Sequence, residues 1–506
     1  MADDRLTGLD SQFLHLEDDS THMHVAGVFL FDGDPPEYED FVEGIESRLH
    51  LVPRYRQKLA FVPYAQGRPR WVDDPHLNLR YHIRATALPS PGSEEQLRAL
   101  AGRVFSQQLD RDKPLWEIWL VEGVEGGRFA ILSKTHHALV DGISGVDIFT
   151  ILFDSMPEPE TPPAPPTKRW LPRPMPSRSQ LLAEALIERA TVPGEIVRGV
   201  RAMFRGPRQI LGGVRDALVG VGALAWAGLA PAPPTPYNTT IGSHRRYTWV
   251  RMSLADVKAI KNSLGGTVND VMLALVTRAL RRHLHRRGIE TSERDELRAM
   301  VPVSVRAEDA RGTLGNQVAA MMAPIPIGCE DPLLCYRQIS AHMQEIKESG
   351  QAVGAQVLTD LTGFAPPTIM SQAARLFVRQ RFFNLVVTNV PGPQFPLYLH
   401  GREMRDVFPV VPLAPNQGVG IAIMSYNGRI NFGLLGDWDV LHDVEDLAGD
   451  LRASLAELAE LAGVELSPPA EAARRVARNG GSRRERERLQ EQAGRSSSGE
   501  PVRPES

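Results

Sequence analysis

Apolar residues along this chain follow two spacings, which alternate from one segment to the next. Residues 23–31 and 129–132 are almost continuously apolar, as expected for buried strands, whereas residues 38–50 and 97–105 repeat apolar positions at helical spacing. The second half predicts helices at residues 271–286, 331–349 and 446–462, and strands at residues 248–252, 297–305, 318–327, 383–390, 407–411, 418–426 and 429–435. Strands that alternate with helices predict a layered α/β fold.

Several shorter segments carry local signals. Alternating residues 77–83 predict another strand, and the basic residues 53–58 predict a turn or a helix end. Asn427-Gly428 is a strong hairpin turn signal between two predicted strands. Thr267 or Asn269 is expected to cap the helix that follows it.

The chain divides into two α/β halves joined by a linker. Nine prolines fall within residues 155–177, which predicts an extended, semi-rigid connection. We therefore predict an N-terminal domain at residues 1–154, a proline-rich linker with amphipathic helices at 155–236 and a C-terminal domain at 237–468. Residues 469–506 are rich in Arg, Glu, Ser and Gly, which predicts a disordered polar tail.

The linker contains a segment with two interpretations. Arginines recur among apolar residues from 197 to 215, and residues 217–230 then carry no charge. An apolar segment behind an arginine stripe is typical of a protein that contacts lipid. A pair of helices packed against the protein core would have the same pattern.

Composition excludes several classes of function. The net charge of −4 argues against a nucleic-acid partner. The N-terminus lacks an apolar targeting core, no run reaches the length of a membrane span, and Cys329 and Cys335 are expected to be reduced thiols. This pattern predicts a cytoplasmic protein. Neither cysteine stands beside a histidine, so no metal site is predicted.

One motif carries recognisable chemistry: His136-His137, followed by Asp141-Gly142, directly after the apolar run 129–132. Neighbouring side chains on extended backbone point to opposite faces, so only one histidine of the pair faces a substrate. We expect His137 to be a general base, because imidazole exchanges protons near neutral pH, and His136 to be buried as its support. Asp141 is expected to be structural or orienting, and Gly142 to permit a tight turn. The alternative is a buried structural pair beside an Asp-Gly turn.

The motif resembles the HHxxxDG signature of the acyltransferase superfamily that includes chloramphenicol acetyltransferase and the condensation domains of peptide synthetases. Further stretches narrow the resemblance to the bacterial wax ester synthase/acyl-CoA:diacylglycerol acyltransferase family, and it covers roughly residues 5–465. These stretches are Leu9 to Phe13, Pro114-Leu115-Trp116, Asn238 to Arg246, Thr267 to Asp270, Val301 to Arg306, Gly315-Asn316-Gln317 and Thr388 to Pro393.

The resemblance implies two chloramphenicol-acetyltransferase-like α/β domains that form a pseudo-dimer around a central channel. It implies transfer of a long-chain acyl group from acyl-CoA to diacylglycerol, to a long-chain fatty alcohol, or to both. His137 would be the general base, and no metal or bound cofactor is implied because acyl-CoA is a substrate. The family acts at membrane or lipid-droplet surfaces, so peripheral association with such a surface is expected.

The oxyanion of this reaction needs hydrogen-bond donors. Asn269 and the backbone around Gly142 are candidates, although Asn269 equally fits a role as a helix cap. Arg306 is one candidate partner for Asp141. Two alternative functions remain open: a condensation-type acyltransferase with another acceptor, and a lipid-droplet-binding protein whose transferase site has decayed.

Overall fold

A computed structural model of the chain describes residues 5–139, 152–158, 170–187, 232–304, 318–348 and 383–467. The strands in these ranges are His24–Asp32 (β1), Gln57–Ala60 (β2), Arg70–Asp73 (β3), Ile83–Ala87 (β4), Trp116–Val124 (β5), Arg128–His136 (β6), Arg245–Ser253 (β7), Leu297–Ser304 (β8), Val318–Ile325 (β9), Leu385–Pro391 (β10), Tyr398–Leu399 (β11), Arg402–Val410 (β12), Val419–Tyr426 (β13) and Arg429–Asp437 (β14). The α-helices are Gly8–Leu16 (α1), Tyr38–Arg48 (α2), Leu79–His82 (α3), Glu94–Phe105 (α4), Leu254–Leu264 (α5), Val268–Arg286 (α6), Pro332–Glu348 (α7) and Val444–Ala462 (α8). Residues 178–187 are also helical.

The strands form two six-stranded sheets and one small hairpin. The first sheet has the order β11-β12-β1-β6-β5-β4, and the second has the order β7-β14-β13-β10-β8-β9. Strands β2 and β3 pair separately as an antiparallel hairpin. The predicted α/β class with two sheet-containing domains is confirmed.

The second half of the chain contributes to the first sheet. Strand β12 pairs antiparallel with β1, and Ala26 lies opposite Val410. Strand β13 continues the second sheet and pairs with β14. The segment 398–410 thus belongs to the predicted C-terminal domain by chain position and to the first sheet by hydrogen bonding. The predicted domain boundaries themselves stay a prediction.

A third apolar cluster joins the two halves, in addition to the core that each half has of its own. Val28 and Leu132 of the first sheet pack there with helix α4 and with Trp249 of β7. The Trp249 ring stacks on Phe408 of β12 with centroids 4.5 Å apart. Burial of apolar surface is the main favourable term in the free energy of folding, so this cluster stabilises the packing of one half against the other.

Helix ends follow the capping residues in the sequence. Ser93 and Gln96 form a capping box at the start of α4. Thr267 and Asp270 form a second one at the start of α6, so Thr267 is the N-cap and Asn269 lies inside the helix. Each box satisfies backbone N–H groups that would otherwise lack a partner.

Two predicted segments differ from the structure. The strand predicted at residues 77–83 is wrong, because Asn78 caps a short helix and the strand begins only at Ile83. His82 belongs to that helix and bonds the Trp116 carbonyl at 2.8 Å. The basic stretch 53–58 forms a 3₁₀ helix, Pro53–Arg56, and then enters strand β2. The predicted Asn427-Gly428 hairpin is confirmed, and both residues have positive φ, at 42° and 78°.

Other predicted segments lie outside the described residues. They are the apolar run 217–230, the arginine stripe 197–215 and the tail 469–506. Among the residues that the structure describes, no helix combines the length and apolar character needed to cross a bilayer.

Candidate active site

The histidine motif begins where strand β6 ends. Strand β6 is buried along almost its whole length between β1 and β5, and its last residue, His136, lies opposite His24 of β1. The next residue still follows the sheet, because the His137 N–H donates to the Met23 carbonyl at 2.8 Å. The Leu139 N–H then donates to the His136 carbonyl at 2.9 Å, which closes a turn. The two histidines are thus fixed at a strand end, as the sequence predicts.

His137 is half-buried beneath helix α1. The ring of Phe13 stacks on its imidazole, with ring centroids 3.8 Å apart and 19° between the planes. Burial lowers the pKa of His137 to about 4. A buried imidazole resists the charged form, so His137 is neutral at physiological pH and able to accept a proton.

His136 is completely buried and has a defined tautomer. Its Nδ1 accepts a hydrogen bond of 3.0 Å from the Ala138 N–H. A ring nitrogen that accepts cannot carry the proton, so the proton of a neutral ring is on Nε2. That nitrogen faces the Glu17 Oε2 atom at 3.5 Å. His136 therefore connects the turn that carries His137 to the end of α1.

Glu17 and Arg111 extend this connection. The Glu17 side chain is buried and its Oε2 accepts a hydrogen bond of 2.7 Å from Arg111 Nε. Burial raises the pKa of Glu17, but its neighbours His136 and Arg111 lower it overall. The carboxylate is therefore ionised at neutral pH. Sequence reasoning missed this pair, since more than a hundred residues separate Glu17 from His136.

Pro114-Leu115-Trp116 supports the same turn from the other side. The Leu115 carbonyl accepts from the His136 N–H at 2.9 Å. Trp116 is fully buried, donates through Nε1 to the Tyr55 carbonyl at 2.9 Å and stacks on His82 at 4.6 Å. These contacts favour a structural role for the tryptophan.

A buried polar layer lies beside His136 on the same sheet. Lys134 is almost fully buried, and its Nζ donates to the carbonyls of Val104 and Gln107 at 3.3 and 2.8 Å. It also lies 3.4 Å from the Glu117 carboxylate. Burial lowers the pKa of Lys134, but the carbonyl and carboxylate partners satisfy its ammonium group. This layer ties the end of α4 to the sheet.

Asn269 lies in the first turn of α6. Its Oδ1 accepts a hydrogen bond of 3.2 Å from the Asn389 side chain of β10, and both residues are half-buried. The oxygen of Asn269 is therefore engaged by Asn389, and the amide N–H groups of Asn269 take no part in that bond. Asn269 is therefore not the cap of the helix, because Thr267 is its N-cap residue and the Asn269 side chain pairs with Asn389.

Arg245 is a structural cation. It is buried, donates to the Gly242 carbonyl at 2.6 Å and lies 3.5 Å from Asp437. Asp437 in turn accepts from the Gly242 N–H at 2.8 Å. Neighbouring Arg246 lies over the Trp438 ring at 3.7 Å.

Asp141, Gly142 and Arg306 fall outside the described residues, so the predicted pairing of Asp141 with Arg306 stays a prediction. Within the described ranges, no group of three or more His, Cys, Asp or Glu side chains is placed to hold a metal ion.

Comparison with known proteins assigns both halves of the chain. Residues 6–272 match the wax ester synthase/diacylglycerol acyltransferase catalytic domain, and residues 314–459 match the C-terminal domain of the same proteins. The probable diacylglycerol O-acyltransferase tgs1 of Mycobacterium tuberculosis is 33% identical over 465 residues, which are 90% of this chain and 95% of that protein.

Solved structures give the same result at the level of the fold. The wax ester synthase/diacylglycerol acyltransferase of Marinobacter aquaeolei VT8 superposes with a TM-score of 0.64 at 26% identity, covering 91% of this chain and all of that one. The starter condensation domain of rhizomide synthetase RzmA, bound to C8-CoA and Leu-SNAC, superposes with a TM-score of 0.56 at 14% identity. It covers 92% of this chain and 95% of that one, and it shares the fold alone.

Proposed function

This chain belongs to the wax ester synthase/diacylglycerol acyltransferase family and is an acyltransferase, and from this membership we propose its substrates and mechanism. It transfers a long-chain acyl group from acyl-CoA to the hydroxyl of diacylglycerol, which makes triacylglycerol, or to that of a long-chain fatty alcohol, which makes a wax ester. The relatives named as diacylglycerol O-acyltransferases support the first acceptor. The name of the Marinobacter protein supports both.

The reaction has two steps, and His137 transfers the proton in both. His137 takes the proton of the acceptor hydroxyl while the oxygen attacks the thioester carbonyl, so a C–O bond forms and a tetrahedral oxyanion results. The oxyanion collapses, the C–S bond breaks, and the CoA thiolate leaves with the proton that His137 returns. General base catalysis contributes roughly 10²–10⁴-fold. The alignment of both substrates contributes much of the rest.

The position of the His137 imidazole and its neutral form are the observations that support this mechanism. The imidazole follows a strand end, where the backbone bond to Met23 holds it, and burial keeps it neutral. A base must be unprotonated before it accepts the hydroxyl proton. The stacked Phe13 ring limits the approach of substrate to the remaining faces of the imidazole. His136 supports the turn from its buried side.

We assign the remaining roles as part of the same proposal. Asn269 offers amide N–H donors to the oxyanion, since its oxygen is bonded by Asn389. The backbone around Gly142 is the second candidate for donors, and Asp141 orients the turn. No metal or bound cofactor takes part, because the thioester supplies the driving force. The enzyme meets its acceptor at the surface of a membrane or lipid body.

Release of CoA from palmitoyl-CoA tests the function directly. A thiol reagent follows CoA in the presence of diacylglycerol or hexadecanol, for the natural protein and for His137→Ala. We expect release that depends on the acceptor and that falls by at least about a hundredfold in the variant, because the general base is lost. The ratio of the two rates ranks the acceptors.

A matched variant separates loss of chemistry from loss of fold. His15→Ala removes a half-buried histidine from the same helix that carries Phe13, and its release of CoA should stay close to that of the natural protein. Near-normal turnover by a folded His137→Ala protein would refute the mechanism. No release with either acceptor would favour a condensation-type acceptor or a lipid-binding protein without activity.

A further inference from the structure

We propose that a small module on the first half of the chain docks the enzyme on an anionic lipid surface, an inference that rests on the proposed function. The module consists of the hairpin β2–β3 with its connecting loop and of residues 170–187. Its exposed large apolar side chains are together named here the docking surface. They are Phe61, Tyr64, Leu171, Met175, Leu186 and Ile187.

Residues 170–187 pack against the hairpin through apolar contacts, an ion pair and a hydrogen bond. Leu181 of the helical segment packs in a buried cluster with Ala60 and Val72. Arg70 forms an ion pair with Glu184. The Arg173 N–H donates to Asp73 at 2.9 Å. Leu181 is thereby buried, whereas the large apolar side chains of the docking surface on the same segment stay exposed.

The docking surface contains most of the exposed apolar bulk of the described chain. Ten large hydrophobic side chains are exposed in the ranges that the structure describes, and six of them lie on this module. Tyr64 is 84% exposed and Leu171 is 76% exposed. Scattered apolar residues on a surface are ordinary, but a concentration in one module indicates an interaction site.

Tyr64 adopts a backbone conformation that bulky residues avoid. Its φ is +58°, in the left-handed region, within the 3₁₀ turn between β2 and β3. Such a conformation costs an aromatic residue about 1 kcal/mol or more. The fold thus holds a strained turn whose aromatic side chain contacts water, and an aromatic ring with a polar hydroxyl suits the boundary between lipid and water.

The charge of the module identifies the kind of surface. Residues 54–74 and 170–187 carry seven arginine and lysine side chains against three carboxylates, whereas the whole chain has a net charge of −4. Three of the cations are paired with these carboxylates: Lys58 with Asp74, Arg70 with Glu184 and Arg173 with Asp73. The module therefore has a net charge of +4, and positive charge beside exposed apolar side chains is complementary to anionic lipid headgroups.

The module connects directly to the active site. The Leu6 N–H, just before α1, donates to the Pro69 carbonyl at 3.1 Å. The backbones of Arg5 and Arg70 also pair in an isolated antiparallel β-bridge. Helix α1 then carries Phe13 to its stacking position on His137. A helix of nine residues spans about 14 Å, so helix α1 alone joins the module to the aromatic ring that stacks on the base.

Vesicle binding without any substrate tests the proposal. The full chain is sedimented with phosphatidylcholine vesicles and with vesicles in which about a third of the lipid is phosphatidylglycerol. We expect selective binding to the anionic vesicles that weakens as salt is raised. The double variant Phe61→Ser/Tyr64→Ser should bind about tenfold less, because two aromatic side chains no longer insert.

Two further variants sharpen the test. Leu334→Ser/Leu461→Ser removes two exposed apolar side chains outside the module, and its vesicle binding should equal that of the natural protein. Arg178→Glu reverses an exposed charge on the module and should weaken binding to anionic vesicles alone. With acceptor dispersed in detergent, the Phe61→Ser/Tyr64→Ser protein should release CoA at the natural rate, which separates docking from catalysis.

Three results would overturn the proposal: equal binding of the natural protein to neutral and anionic vesicles, no binding to either, or undiminished binding by the Phe61→Ser/Tyr64→Ser variant. A dimer in solution that this variant dissociates would instead assign the docking surface to a second copy of the chain. Absence of CoA release in detergent would count against the proposed function and leave the vesicle result to stand by itself.

Discussion

At the scale of single residues, the chemistry of His137 depends on side chains distant in sequence. Phe13 covers its ring, and the chain of contacts from Ala138 through His136 to Glu17 and Arg111 fixes the turn that carries it. Glu17 touches no reacting atom, so it is a positioning residue. Its charge also keeps the proton of His136 on Nε2, where it meets the carboxylate.

Replacing Glu17 by Ala is expected to lower kcat by about 10- to 100-fold while KM for acyl-CoA changes little, because a displaced base loses near-attack geometry. Glu17→Gln should recover part of the rate, since its amide oxygen can still face the His136 Nε2–H group. Nitrogen NMR of the His136 ring should show the Nε2–H tautomer in the natural protein and its loss in Glu17→Ala.

Asp19→Asn is the matched control for the loss of one negative charge. Asp19 is exposed, two residues beyond Glu17, and this variant should keep the natural kcat. Equal rates for Glu17→Ala and the natural protein, or a rise in KM alone, would contradict the positioning role.

At the scale of elements, two strands cross so closely that one position requires glycine. A Cβ added to Gly433 of β14 would lie 1.8 Å from the Pro409 carbonyl oxygen of β12. Strand β12 belongs to the first sheet and β14 to the second, so this crossing sets the distance between the sheets. Backbone atoms cannot move aside as a flexible side chain can.

Gly433→Ala is therefore expected to destabilise the protein by about 3 kcal/mol or more, since the added methyl group forces the strands apart. Gly449→Ala is the control, because nothing lies within 4 Å of its added Cβ in helix α8. That change should be neutral or stabilise by up to about 1 kcal/mol. Urea unfolding measures both values, and equal stability of the two variants would contradict the crossing.

At the scale of the whole molecule, a network of ion pairs crosses between the halves. Arg251 of β7 donates to Glu94 of α4 at 2.8 and 2.9 Å and to Asp406 of β12 at 3.0 Å. Arg429 also bonds Asp406 at 2.6 Å. Burial raises the pKa of Glu94, but the hydrogen bonds and charge of Arg251 lower it to about 2 overall.

Glu94→Gln is expected to destabilise the protein by about 2–3 kcal/mol at pH 7, because Arg251 loses one of its two half-buried or buried carboxylate partners. The pKa of Glu94 is lower in the folded state than in the unfolded state. Its contribution is therefore complete above pH 4.5 and is lost as the pH falls towards 2.

Urea unfolding at several pH values checks this dependence. The stability difference between the natural protein and Glu94→Gln should narrow between pH 5 and pH 3. Glu95→Gln, at the exposed neighbouring position, should match the natural protein throughout. A difference that is constant with pH would contradict the role of the Glu94 charge.

The sequence by itself determined the α/β class, most element positions and the placement of the histidines at a strand end. The periodicity of apolar residues indicates which side chains of an element are buried. The spacing within a motif indicates which backbone conformations are possible over a few residues. Tertiary structure alone decided the exchange of β12 into the first sheet, the pairing of Asn269 with Asn389, the Glu17–His136 contact and the docking surface. Each joins residues far apart in sequence, so packing of the whole chain, and no local pattern, selects the partner.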